Sequence, residues 1–195
     1  MVRHEQACLN NVDELILLRI ANFLRLRSYG ADFNLLSKLL APQKEDVILD
    51  VGAGTGAITN IIANSCDEVF ACEPDENRLE FMKKKYPQIK ALSARADQIP
   101  FPESYFTKIY AVASFHHFPD QDLALEEFSR ILKPSGSLLI HDIEPKSATS
   151  RFERRASGVH FLSSDELIQK LEAHGFHEIR KVDAKRGFMI LAKKA

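Results

Sequence analysis

The chain predicts an α/β protein: a three-layer α-β-α sandwich on a seven-stranded, mostly parallel sheet with an antiparallel C-terminal hairpin. Three observations carry that prediction. Short apolar strands alternate with amphipathic helical segments from about residue 45 onward, the pattern of parallel strands joined by crossover helices. The run Val47-Ile48-Leu49-Asp50-Val51-Gly52-Ala53-Gly54-Thr55-Gly56 is an apolar strand that ends in an acid and opens into three alternating glycines. Such a turn lets backbone approach a ligand closely at the end of a strand. Two segments with strand character, His177 to Asp183 and Gly187 to Ala192, then close the chain across a charged turn. A length of 195 residues fits one domain with a full core. The expected division is a single domain over 1–195, with 1–44 a helical N-terminal cap and 45–195 the core.

Taken in order, Val12, Leu15, Ile16, Ile20, Phe23 and Leu24 form a helical stripe that Tyr29-Gly30 ends. The stripe serves core packing or a lid over the substrate. A second helix, roughly Ala31 to Leu40, leads to Pro42 and the first strand. After the glycines, Ile58, Ile61 and Ile62 predict a short buried helix, and Glu68 to Cys72 a second strand. Leu79, Met82 and Tyr86 give the next helical stripe, Lys90 to Ala94 a third strand, and Thr107 to Ala113 a fourth. Asp120-Gln121-Asp122 puts acids at a helix start, where the dipole favours them, and Phe128, Ile131 and Leu132 form its buried face. Pro134-Ser135-Gly136 stops that helix before a strand over Ser137 to Ile143. The polar stretch from Glu144 to Gly158 has no apolar period and reads as a loop or weak helix. Ser163-Ser164-Asp165-Glu166 is a capping-box start, with Leu167, Ile168 and Leu171 as the buried stripe and Gly175 as the stop.

Composition narrows the partners. Lysine and arginine number 26 against 27 aspartates and glutamates, so no general field for a polyanion exists and nucleic acid is disfavoured. Cys8, Cys66 and Cys72 are odd in number and lack metal-ligand spacing, which argues against a disulfide framework or a zinc site. No long uncharged apolar run or cleavage signal opens the chain, so a cytoplasmic protein without a membrane span is expected.

Ligands of such sheets sit beyond the carboxyl ends of the strands, which gathers Asp50, Glu73, Asp97, the segment after Ala113 and the loop after Ile143 on one rim. A pyrophosphate of a nicotinamide dinucleotide would want G-x-G-x-x-G, whereas the spacing here is G-x-G-x-G, and Asp50 would repel two phosphates. An acid suits a ligand carrying an ammonium group.

With this motif, Glu73 after the second strand, Ala94-Arg95-Ala96-Asp97-Gln98-Ile99-Pro100-Phe101-Pro102, and Arg130-Ile131-Leu132-Lys133-Pro134, the chain resembles the class I S-adenosylmethionine-dependent methyltransferases. Within them it is similar to the small-molecule group with a methyltransferase-11-like domain, from about Asp46 to the end. The resemblance implies a Rossmann-like sheet and S-adenosylmethionine as cofactor, with S-adenosylhomocysteine as product. It implies that Asp50, Gly52, Gly54 and Gly56 hold the methionine portion, with Ala53 also among the cofactor-binding residues. Glu73, with Pro74 beside it, would bond the ribose hydroxyls, which suits a carboxylate that can accept from both. Asp97 and the Ala96 backbone would meet the adenine, and Ser114 would lie beside the cofactor. Arg130 and Lys133 are expected to be capping and surface residues. Where the family often has an acid at the start of the fourth strand, this chain has Lys108.

The resemblance also turns Ser114-Phe115-His116-His117-Phe118 toward the methyl group. Methyl transfer from a sulfonium is an in-line displacement that needs alignment and exclusion of water more than a strong base. His116 or His117 could take a proton from an oxygen or carbon nucleophile, or cap the following loop and stack under the cofactor. A metal held by His116, His117 and His141 with Asp142 is disfavoured, because adjacent histidines point apart on an extended chain. Arg151, Arg154 and Arg155 would bind an anionic acceptor or form a solvated charge run, and Phe152, His160 and Phe161 suit a small organic acceptor. The expected partner is therefore a small-molecule acceptor, with a non-catalytic cofactor-binding or regulatory protein as the alternative and a NAD-dependent oxidoreductase as a weaker one. The oligomeric state is not legible.

Overall fold

The computed structural model describes residues 33–145, 159–185 and 187–195. The first helix expected from the sequence and the arginine-bearing loop lie outside them. Seven strands form one sheet: β1 (Val47–Val51), β2 (Glu68–Cys72), β3 (Lys90–Leu92), β4 (Phe106–Val112), β5 (Leu132–Asp142), β6 (Phe176–Ala184) and β7 (Gly187–Lys194). Their order is β3-β2-β1-β4-β5-β7-β6, parallel through β5, with β7 antiparallel to both β5 and β6. The chain runs outward from β1 to β3, then returns to the other side of β1 as β4. The β1/β4 border is therefore the switch point where the crossovers diverge and leave a crevice at the strand ends.

Alternation along the strands sorts the core into two faces. One carries Ile48, Tyr110, Val112, Leu139 and Met189, covered by α1 (33–40) through Leu36 and Leu40 and by α2 (Ala57–Ile62) through Ile58 and Ile62. On the same face α3 (Glu76–Lys85) seats Leu79 and Met82 on Ala71. The other carries Leu49, Ile109, Ala111, Leu138 and Ile140 under α4 (Gln121–Ile131) and α5 (Ser164–Ala173). The segment 33–40 therefore belongs to the core layer.

The sequence-based elements hold, with local differences. In α2 the buried residue at the middle of the helix is Thr59 rather than Ile61, because Thr59 meets the buried Asp50. In α3 Phe81 is buried, while Tyr86 is the C-cap. The α4 helix stops at Ile131, before Pro134, and β5 starts at Leu132. The residue before a proline is pushed out of the helical region, so Lys133 cannot extend α4. The β4–β5 register shifts between Phe106 and Lys108, which absorbs the exposed stretch Lys133 to Ser135 as an irregularity in β5. Ser163 accepts from the Glu166 N–H while Glu166 accepts from the Ser163 N–H at 2.7 Å, the expected capping box. Cys66 and Cys72 are buried free thiols, pushed up by burial to about 11 and about 12.

Candidate functional site

The glycine loop is built by close approach at the end of β1. Gly52, Gly54 and Gly56 all have positive φ, at 72°, 59° and 74°. The Gly52 and Ala53 N–H groups both donate to the Cys72 carbonyl, at 2.9 and 3.1 Å, folding the loop over the end of β2. A Cβ on Gly52 would lie 2.6 Å from the Ser114 Cβ, and one on Gly56 would lie 2.5 Å from the Met82 Cγ. No side chain fits without displacing the β4 end or α3.

Two carboxylates face this loop. Asp50 is 3% exposed on the α2 face, where Thr59 Oγ1 donates to its Oδ2 at 2.6 Å. The Tyr110 hydroxyl lies in the same buried region, and burial followed by the Asp50 charge raises its pKa well above the ordinary value. Glu73 is 4% exposed; its Oε2 accepts the Gly54 N–H at 2.7 Å and its Oε1 the Asp75 N–H at 3.1 Å. It thus ties the glycine loop to the start of α3. Asp50, Gly52, Ala53, Thr55 and Ile58 line a crevice of about 10 Å³, and none of them is basic. Two buried carboxylates with no basic side chain beside them, around a loop whose Gly52, Ala53 and Gly54 N–H groups are already taken up by the protein, suit a cation with vicinal hydroxyls and disfavour a pyrophosphate. The residues present therefore fit S-adenosylmethionine.

Asp97 is engaged in another way. Arg95 donates to both its oxygens, Nε to Oδ1 at 2.9 Å and Nη2 to Oδ2 at 2.7 Å, within a turn where Arg95 and Gln98 bridge. Arg95 holds the Asp97 carboxyl below its ordinary value. Ala96 beside it is buried, and Pro74 is exposed past the end of β2. The loop after Asp97 is anchored to α4. Glu127 Oε1 accepts the Ile99 N–H at 2.7 Å, and Arg130 donates to the Phe101 carbonyl at 2.9 Å while pairing with Glu127. Arg130, expected as a capping residue, is thus a strut for the Asp97 loop. Lys108 pairs with Asp46 at 2.6 Å and donates to the Ala41 carbonyl at 2.6 Å, tying β4 to the entry of β1.

The β4 end turns sharply. Ala113 takes φ +49°, and Ser114 donates to the Val51 carbonyl at 2.8 Å while abutting Gly52. Its hydroxyl is thereby a strut under the loop. Phe115–His117 form a 3-10 turn, so the adjacent histidines do not point apart as on a strand; their rings stand 4.1 Å apart. Exposure separates them. His116 is 3% exposed with its Nδ1 2.5 Å from Asp142 Oδ1, while His117 is exposed. Alternation along β5 sends His141 to the opposite sheet face from Asp142, which breaks up the four-residue metal set considered from sequence. Among the described residues no cluster of three metal-ligating side chains occurs. Phe161 stacks on His116 at 4.4 Å and 18°.

Sequence reasoning missed Thr59 as partner of Asp50, Arg95 as partner of Asp97, and Asp142 as partner of His116. Only Arg95, two residues from Asp97, left a local signal.

The family profile described as "Methyltransferase domain" matches residues 49–140. A demethylmenaquinone methyltransferase of Chlorobaculum tepidum is 31% identical over 116 residues, covering 58% of this chain and 48% of that protein. An O-methyltransferase of Aspergillus nomiae is 29% identical over 149 residues, covering 70% of this chain and 66% of that protein. The chain spans about half the length of the curated relatives it matches. The crystal structure of a SAM-dependent methyltransferase from Aquifex aeolicus superposes with a TM-score of 0.74 at 22% identity, covering 87% of this chain and 93% of that one. Among the described residues no helix is long and apolar enough to cross a membrane. Sheet order, glycine loop and family profile agree: residues 49–140 match a methyltransferase domain, and the chain is similar in sequence and fold to the class I S-adenosylmethionine-dependent methyltransferases, whose cofactor is S-adenosylmethionine.

Proposed function

We propose that this chain is an S-adenosylmethionine-dependent methyltransferase acting on a small-molecule acceptor by in-line displacement. One observation carries the reading: Asp50 and Glu73, both buried, flank a left-handed glycine loop at the β1/β4 switch point, with the His116 turn joined to that loop through Ser114. Asp50, Gly52, Ala53, Gly54 and Gly56 would hold the methionine portion, Glu73 the ribose, and Ala96 with Asp97 the adenine. The bound sulfonium supplies an activated methyl group. The protein orients the acceptor, excludes water and accepts a proton where the acceptor releases one. A near-neutral net charge of -1 supports a small acceptor over nucleic acid. Two buried free cysteines suit a reducing compartment such as the cytoplasm.

Calorimetric titration with S-adenosylmethionine, S-adenosylhomocysteine and NAD tests the proposal. Saturable binding of the first two and none of NAD is the expected result. NAD binding alone would replace it with an oxidoreductase. Cofactor binding without any methyl transfer to a small-molecule extract would favour the non-catalytic reading.

A further inference from the structure

We infer that Arg95 is a cofactor-specificity residue: gripped by Asp97, it donates to a ring nitrogen of the adenine while Asp97 accepts from the amino group. This rests on the methyltransferase reading above and adds a second reader of the base. The place of the pair comes first. The Glu73 N–H donates to the Leu92 carbonyl at 3.2 Å, so the ends of β2 and β3 lie side by side. Neighbouring strands stand about 4.8 Å apart. With the ribose at Glu73, the turn after β3 is the rim one strand further out, and Arg95 and Asp97 both belong to that turn.

The two side chains sit differently. Asp97 is 15% exposed and Arg95 55%, so the carboxylate is set into the rim and the guanidinium stands out from it. Their two parallel bonds, at 2.9 and 2.7 Å, hold the planar groups close to one plane. The turn beneath them is fixed as well. The Gln98 N–H donates to the Arg95 carbonyl at 3.1 Å, Ala96 packs in the core, and Glu127 accepts the Ile99 N–H. The pair is thus ordered before a ligand arrives, which lowers the cost of binding one.

Counting bonds shows what the pair has left to offer. Arginine carries five N–H donors, of which Asp97 takes two, and an ionised carboxylate has about four acceptor sites, of which Arg95 fills two. Among the described residues neither has another side-chain partner. Spare donors and spare acceptor sites therefore lie next to each other. Adenine presents the complement, an amino donor beside a ring-nitrogen acceptor. A carboxylate alone reads only the amino group. Arg95 adds the ring nitrogen, so the base is recognised by two groups in a fixed order.

Calorimetry on the full chain tests this with S-adenosylhomocysteine, its 1-deaza and 7-deaza analogues, in which carbon replaces a ring nitrogen, and the analogue lacking the 6-amino group. The wild type is expected to lose about ten-fold in affinity for one deaza analogue and for the desamino analogue. Arg95→Ala should bind S-adenosylhomocysteine about ten-fold more weakly and no longer distinguish it from that deaza analogue, yet still prefer the amino group. Should the alanine variant not fold, Arg95→Met, which keeps the apolar stem over the turn, gives the same reading. Wild-type affinity unchanged for both deaza analogues would overturn the proposal, as would a deaza penalty that persists without Arg95. An unchanged affinity for the desamino analogue would remove Asp97 from the pair and overturn it too. A wild type that binds no S-adenosylhomocysteine strikes the methyltransferase reading and Arg95 with it, whereas binding without the deaza penalty strikes Arg95 alone.

Discussion

Glu73 shapes the loop, and on the proposed reading the same side chain also binds the cofactor. Its two oxygens offer about four lone-pair sites. Gly54 and Asp75 occupy one site on each oxygen, so acceptor capacity is left for ribose hydroxyls. Glu73→Ala removes both roles and should weaken S-adenosylmethionine binding by about ten-fold or more, read by calorimetry; a smaller loss would separate Glu73 from the cofactor. Gly52→Ala tests the loop by a different route. Its φ of 72° strains any side chain, and the new Cβ meets Ser114 at 2.6 Å, close to the backbone rather than at a flexible tip. The expected cost is about 2 kcal/mol in urea unfolding, against about 1 kcal/mol for Ser114→Ala, which loses only the bond to the Val51 carbonyl.

At the scale of elements, the strut from α4 to the Asp97 loop makes the next prediction. Glu127 and Arg130 sit one helical turn apart and reach Ile99 and Phe101, so the α4 side chains fix the loop's backbone. Glu127→Ala leaves the partly buried Arg130 without its carboxylate and the Ile99 N–H without its acceptor. A loss of about 2 kcal/mol follows, and amide exchange at Ile99 should accelerate before exchange in β4 does. Retained protection at Ile99 would show that the loop stands without the strut. This link explains where the sequence was and was not legible. β2 and the capping box of α5 were readable because apolar alternation and caps are written in adjacent residues. The glycine loop and the place of Glu73 beside it were readable because each follows a strand. Arg130 looked like a helix-end residue because its partners at Ile99 and Phe101 belong to another element. Asp142 lies 26 residues from His116, and only the parallel pairing of β4 with β5 brings them together. The end of α4 was misplaced because the pre-proline constraint acts at Lys133, while the eye falls on Pro134-Ser135-Gly136.

For the whole molecule, the charged links between distant segments set the response to acid. The Asp46 carboxyl would be raised by burial, yet Lys108, the Gln43 N–H and Thr107 together hold it below its ordinary 3.8. Glu127, also opposed by burial, is held below 4.5 by Arg130 and the Ile99 N–H. A carboxyl with a depressed folded pKa stabilises the fold fully above its unfolded value, and that stabilisation is lost as pH falls through the folded value. Urea midpoints should therefore stay level from neutrality to about pH 5 and fall below it. Lys108→Met distinguishes this origin from general charge repulsion. It removes the partner that joins β4 to the entry of β1 and should cost about 2 kcal/mol at neutral pH. Its Asp46 then titrates closer to the unfolded chain, so less remains to be lost in acid. The two stability curves should converge as pH drops below the ordinary carboxylate range. Curves that stay parallel would place the acid sensitivity in other carboxyls and leave the Asp46–Lys108 pair as a link of constant strength.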